Sequence, residues 1–259
     1  MRKLETIRLP RPCCLFLLAV LAPMAWSAQA IAQRGADSGS YGRVNSFGFF
    51  AAYSGDSSHI VLGYAENRKL VDLGVTYGRR LYLNHAVNWQ YNVELLPVAL
   101  ESDPLQVTAA TYTFTDPSQT ISQTTSTPTL TACQNMSGSG TLPGGGPTYT
   151  FTDTCSRRWT IGEAMSPIGF EWNFLPRSKT QPFLIGHGGY MYSTQAIPIT
   201  DAGSFNFTFD VGAGVEFFRT HSRSVRGELR FHHISNHGTA ALNPGIDSLL
   251  YQVTYAFGR

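Results

Sequence analysis

The chain has 259 residues, 42% hydrophobic and 14% charged, with 19 Lys and Arg against 17 Asp and Glu for a formal net charge of +2. That near-balance, with no basic run beyond the N-terminus, gives no sign of a nucleic-acid partner. The length suits one domain.

Arg2, Lys3, Arg8 and Arg11 precede an apolar run from Cys13 through Trp26, followed by small residues at Ala28, Ala30 and Ala32. This is the pattern of a secretory signal peptide, expected to cover residues 1–32 with cleavage after Ala30 or Ala32. Cys13 and Cys14 stand before the apolar core, the wrong side for lipoprotein modification. Their removal leaves Cys133 and Cys155 as the only cysteines of an exported chain, and they are expected to pair. Closing that loop is worth about 3 kcal/mol in chain entropy. No other apolar stretch approaches the ~20 residues of a membrane helix, so membrane residence implies a β-barrel.

Residues 33–259 alternate strongly. Val71, Leu73, Val75 and Tyr77 oppose Asp72, Gly74 and Thr76; Val87, Trp89, Tyr91, Val93 and Leu95 oppose Asn88, Gln90, Asn92 and Glu94; Phe207, Phe209, Val211, Ala213, Val215 and Phe217 oppose Thr208, Asp210, Gly212, Gly214 and Glu216. Period-2 alternation places the two sets on opposite faces of a strand. Eight strands are expected, near 44–54, 69–82, 86–99, 161–174, 181–193, 206–219, 223–235 and 247–257. A soluble sandwich also alternates, but Tyr77, Trp89, Tyr91, Trp172, Phe217, Tyr251, Tyr255 and Phe257 suggest aromatic girdles at two membrane interfaces. The expected fold class is therefore all-β: an eight-stranded antiparallel transmembrane barrel. Asp72, Glu94, Glu171, Asp210, Glu216, Arg226, Glu228 and Arg230 would fill its narrow lumen as a paired network.

Short turns are expected at Asn84-His85, Arg177-Ser178-Lys179 and Thr220-His221-Ser222, with longer connections at the other end, matching periplasmic turns and extracellular loops. Residues 101–160 break the pattern with Ser, Thr, Gly and Pro, and are expected to form a long disulfide-tied extracellular loop. Inside it Thr111–Asp116 (TYTFTD) recurs as Thr148–Asp153. The copies suggest either a hairpin standing above the membrane or a chance echo of Thr-rich composition.

The most informative stretch is Phe231-His232-His233-Ile234-Ser235-Asn236-His237-Gly238, followed by Leu242-Asn243-Pro244-Gly245-Ile246-Asp247. Val225, Gly227, Leu229 and Phe231 set an apolar row that continues through His233 and Ser235. Asp247 leads the corresponding row of Leu249, Tyr251, Val253, Tyr255 and Phe257. A nucleophile, a base and a carboxylate thus share the greasy faces of neighbouring strands, at the end carrying the long loops. Side chains two apart on a strand lie about 6.6 Å apart, a gap they can largely bridge, and Asp247 is within cross-strand reach. Adjacent His residues face opposite ways, which argues against His232, His233, His237 and Asp247 sharing a metal. His232 is expected in the lumen, and His59, His85, His187 and His221 as structural.

This block resembles the lipid A 3-O-deacylase (PagL-type) family of outer-membrane enzymes, closely over these fifteen residues and in architecture over the rest. The resemblance implies Ser235 as nucleophile, His233 as base and Asp247 as the acid orienting it. It further implies the backbone N–H of Gly238 and the side chain of Asn243 as oxyanion stabilisers, with Asn236 supporting. The best-known members carry Glu at the acidic position, one methylene longer than Asp247. The implied activity is hydrolysis of the 3-O-linked acyl ester of lipid A in lipopolysaccharide, at the outer leaflet, with outer-membrane lipids as surroundings. It calls for no cofactor or metal, and leaves a homodimer open. Two rival readings are a non-enzymatic small barrel, adhesin or structural, using 101–160, and an outer-membrane phospholipase.

Overall fold

The computed structural model describes residues 39–116, 119–131 and 133–259; the expected signal peptide lies outside them. Ten strands follow in chain order: β1 (Asn45–Ser54), β2 (Lys69–Leu83), β3 (Val87–Asp116), β4 (Gln119–Thr129), β5 (Met136–Thr141), β6 (Thr148–Phe174), β7 (Thr180–Ser193), β8 (Phe205–Thr220), β9 (Arg223–Ser235) and β10 (Ile246–Gly258). The sheet runs β4-β3-β2-β1-β10-β9-β8-β7-β6-β5, and a β3–β6 pairing closes it. The eight strands β1–β3 and β6–β10 form a closed antiparallel ring, at the positions the alternation marks out. Closure leaves the ring without edges, the condition for strands to exist in lipid.

Alternation decides the faces. Phe207, Phe209 and Val211 of β8, and Leu249, Tyr251, Val253 and Tyr255 of β10, are exposed, while Asn206, Thr208, Asp210, Gln252 and Thr254 are buried. Apolar out and polar in is the inverse of a water-soluble protein, and suits a barrel surrounded by hydrocarbon. Near the short-turn end the outward aromatics group, with Phe47 against Tyr77 (centroids 5.0 Å) and Trp89 stacked on Trp172 (6.4 Å).

The lumen holds charges in mutual contact. Arg230 donates to both carboxylate oxygens of Glu94 (2.8 and 2.7 Å), to Glu228 (3.0 Å) and to Asp210 (3.3 Å). Arg226 pairs with Glu171 at 2.8 Å, and His187 bonds Asp210 at 2.9 Å. Arg43, from the segment ahead of β1, reaches in to Glu216 and to Ser224 (2.9 Å). Buried charges persist only when paired in this way. An apolar cluster including Phe50, Leu70, Leu96, Met191, Ile234 and Leu250 packs in the lumen toward the end carrying the longer connections and lines a cavity there.

The expected boundaries fail in one region. Strands β3 and β6 do not stop near residues 99 and 161; they run on, paired from Val87↔Phe174 to Thr113↔Thr148. Strand β4 adds to β3 and β5 to β6, so most of the expected loop 101–160 is a four-stranded sheet, β4-β3-β6-β5. The repeated hexapeptides pair with one another, Tyr112 opposite Tyr149. Every described residue of β4 is exposed, so no buried face imposes apolar alternation. The strands are held instead by β-branched threonines and cross-strand contacts such as Thr111–Thr124 (2.9 Å). Cys133 and Cys155 are bonded, with Cα atoms 5.6 Å apart, tying the β4–β5 connection to β6. In the ring, two strands on either side separate β3 and β6 from β9 and β10, so the extension rises across the barrel from the candidate site.

Candidate active site

The end of β9 and the start of β10 are joined by residues 236–245, and their register sets Asp247 directly opposite His233 and Ile246 opposite Ile234. On the other side of β9, Phe209 faces His233 and Phe207 faces Ser235. The His and Ser therefore stand in an outward row flanked by exposed aromatics, as the alternation requires.

His233 Nδ1 lies 2.6 Å from Asp247 Oδ1. An ionised carboxylate only accepts, so Nδ1 carries the proton, and in the neutral imidazole Nε2 then keeps its lone pair, the tautomer of a general base. The aspartate is fully buried although it sits on the outward row. Its cover is the β1–β2 connection: the N–H groups of Val61 and Leu62 both donate to Asp247 Oδ2 at 2.7 Å. The shorter acid thus reaches its histidine directly, and both its oxygens are satisfied.

Ser235 Oγ has a different set of partners among the described residues. Asn243 Nδ2 approaches it at 2.9 Å and Oδ1 at 3.1 Å, and the N–H of His237 donates to it at 3.1 Å. Nε2 of His233 is not among them. Asn243 is held in turn by the N–H of Asn236, which donates to its Oδ1 at 3.1 Å. Asn236, buried, braces the turn by donating from Nδ2 to the carbonyl of Leu242 (2.7 Å), while its Oδ1 accepts the N–H of Gly238 (2.9 Å). His237 and Gly238 have φ of 52° and 76°. The left-handed turn directs the two successive N–H groups at the Ser235 hydroxyl and the Asn236 amide oxygen, and glycine takes the second position at no steric cost.

Of the residues singled out in the sequence, His233 and Asp247 meet, Ser235 and Asn243 meet, and Asn236 braces the turn that carries Asn243. Gly238 is nearby, but its N–H is engaged by Asn236. His232 turns inward, lining a lumen cavity with Asp72, Arg230 and Gln252. Two contributors were not foreseen: the N–H of His237, and the Val61–Leu62 pair. The latter lies in a connection without periodicity, nearly two hundred residues away in sequence, and leaves no local signal.

A family model for lipid A 3-O-deacylase (PagL) matches residues 108–256, more than half of the chain and every site residue from His233 to Asp247. The chain belongs to the lipid A 3-O-deacylase (PagL) family. It is an outer-membrane carboxylic ester hydrolase, and the eight-stranded ring is its barrel. Among curated proteins none matches significantly. Among solved structures, the outer-membrane enzyme PagL is 14% identical, with 82% of this chain and 99% of that one covered and a TM-score of 0.46. Neisserial surface protein A is 9% identical, with 83% and 97% covered and a TM-score of 0.40.

Proposed function

We propose that this PagL-family chain hydrolyses the 3-O-linked acyl ester of lipid A at the outer leaflet, with Ser235 as nucleophile, His233 as base and Asp247 as the orienting acid. The observation that carries the reading is the 2.6 Å contact of His233 Nδ1 with buried Asp247, which leaves Nε2 basic on the row that holds Ser235. Ser235 Oγ gives its proton to Nε2 as it attacks the ester carbonyl. The imidazolium formed is stabilised by Asp247 and then returns the proton to the departing sugar 3-oxygen. Water repeats the sequence on the acyl-enzyme, releasing the fatty acid and restoring the serine. For this the hydroxyl must swing from Asn243 toward His233, a tightening expected when substrate enters.

Donors for the oxyanion are Asn243 Nδ2 and the N–H of His237, already directed at the Ser235 oxygen. The Gly238 N–H joins them by loosening its bond to Asn236. A lipid ester suits the setting, because the catalytic row stands among outward aromatics rather than in a water-filled cleft. The cysteine-tied extension is read as extracellular, and residues 1–32 as the export signal.

Mass spectrometry of lipid A from cells expressing the wild-type chain beside Ser235→Ala tests this. Loss of one 3-linked acyl mass in the wild type alone is expected. Unchanged lipid A in both, with the barrel folded in the membrane, would refute the substrate assignment; phospholipid cleavage in the same cells would replace it.

A further inference from the structure

Residues 58–64 lie across the start of β10 as a strap, and every anchor is a backbone or short-range contact. The Ser58 N–H donates to the carbonyl of Asp247 (3.2 Å), that of Tyr64 to Pro244 (2.6 Å) and that of Ala65 to Gly245 (3.0 Å). The strap's own bend is held by His59, whose Nδ1 bonds the carbonyl of Gly63 at 2.7 Å and whose ring stacks on Tyr64 at 4.6 Å. So fixed, the strap presents the Val61 and Leu62 N–H groups to one carboxylate oxygen.

Gly63 makes the approach feasible. A Cβ there would sit 2.6 Å from the Asp247 nitrogen, 2.8 Å from the Ile246 carbonyl carbon and 3.0 Å from Asp247 Oδ1. Backbone atoms cannot give way, so any side chain would lift the strap off the carboxylate. Meanwhile Ile60, Val61, Leu62 and Tyr64 turn their side chains outward, 41% to 69% exposed. On an outer-membrane barrel these face lipid, which keeps water from competing for the two N–H bonds. The strap also lies outside the span matched by the family model.

We propose that the 58–64 strap is a positioning element of the reaction: the Val61 and Leu62 N–H groups fix the Asp247 carboxylate against His233, and Gly63 is the residue whose missing side chain permits it. The proposal rests on the triad of Ser235, His233 and Asp247. It accounts for how an aspartate serves where the best-known relatives carry glutamate: the fixed carboxylate does not depend on a longer stem to reach the imidazole. A free Asp247 would keep its charge but lose its alignment, and misplacement of this order costs about 10²-fold in rate.

The test uses the full chain in detergent micelles with lipid A, measuring kcat and KM for Gly63→Ala, Leu62→Pro, Asp247→Asn and Gly63→Ala/Asp247→Asn, with barrel folding checked by heat-shifted gel mobility. Gly63→Ala is expected to lower kcat about 10²-fold with KM little changed. Leu62→Pro, which deletes one of the two donors, should lower kcat by less. The double variant should be no slower than Asp247→Asn, because the strap acts through that carboxylate. Full activity in both strap variants while Asp247→Asn is inactive would overturn the proposal and leave the triad standing, as would losses that multiply in the double. Full activity in Asp247→Asn would overturn the strap's role, since either the strap does not hold the amide oxygen or His233 is not the base; inactivity of His233→Ala in the same assay would keep the triad. Should neither strap variant fold, hydrogen exchange decides. Slow exchange at the Val61 and Leu62 amides, lost in Asp247→Ala, supports the clamp; rapid exchange in the wild type refutes it.

Discussion

Replacing Asp247 with asparagine changes one atom type, and the hydrogen-bond geometry around it dictates a specific loss. The wild-type carboxylate accepts three hydrogen bonds: one from His233 Nδ1 at 2.6 Å and two from the Val61 and Leu62 N–H groups at 2.7 Å. The strap offers only donors, so in Asp247→Asn the amide oxygen must face Val61 and Leu62, and the amide NH₂ must face the imidazole. Nδ1 is then compelled to accept, the proton moves to Nε2, and His233 can no longer take a proton from Ser235. In serine hydrolases the same exchange of tautomer costs about 10⁴-fold in kcat, or about 5.4 kcal/mol at 1.36 kcal/mol per decade. The assay is release of 3-linked acyl chains from lipid A in micelles, followed by mass spectrometry at fixed time points. Activity within tenfold of wild type would refute this reasoning, showing either that the amide can turn over in its site or that His233 does not act as base.

Further consequences can be checked alongside. Asn243→Ala removes the donor 2.9 Å from Ser235 Oγ and should lower kcat about 10²- to 10³-fold with little change in KM; an equal rise in KM would assign Asn243 to binding instead. Arg230→Leu leaves Glu94, Glu228 and Asp210 without their shared cation in the lumen, and should lower unfolding stability in urea by about 3–5 kcal/mol. A midpoint unmoved from wild type would refute that account. Cys133→Ser with Cys155→Ser opens a loop of sequence separation 22. It should loosen the extension by about 3 kcal/mol, read as faster proteolysis within 130–160. Deacylation should be unaltered, since the extension stands across the ring from the site.

Side-chain alternation alone was enough to set the faces and the ring. Side-chain direction along a strand is local, so the alternation ending in His233 and Ser235, and that beginning at Asp247, placed all three outward before any partner strand was known. The same rule sent Glu94, Asp210, Glu216, Arg226 and Arg230 into the lumen, and antiparallel pairing of two consecutive strands sufficed to bring Asp247 near His233. The polar extension was not legible, because β4 is exposed throughout and the upper parts of β3 and β6 bury polar residues such as Asp103 and Asp153, so no buried apolar face imposes alternation there. Long-range packing settles which arginines and carboxylates pair, that Arg43 joins them, that Ser235 rests on Asn243 and the His237 N–H, and that residues 58–64 close over Asp247. Each of these is a contact between segments distant in sequence, made through backbone groups or flexible side chains. No residue type marks a bare N–H as the partner of a particular carboxylate; the folded barrel brings the two together.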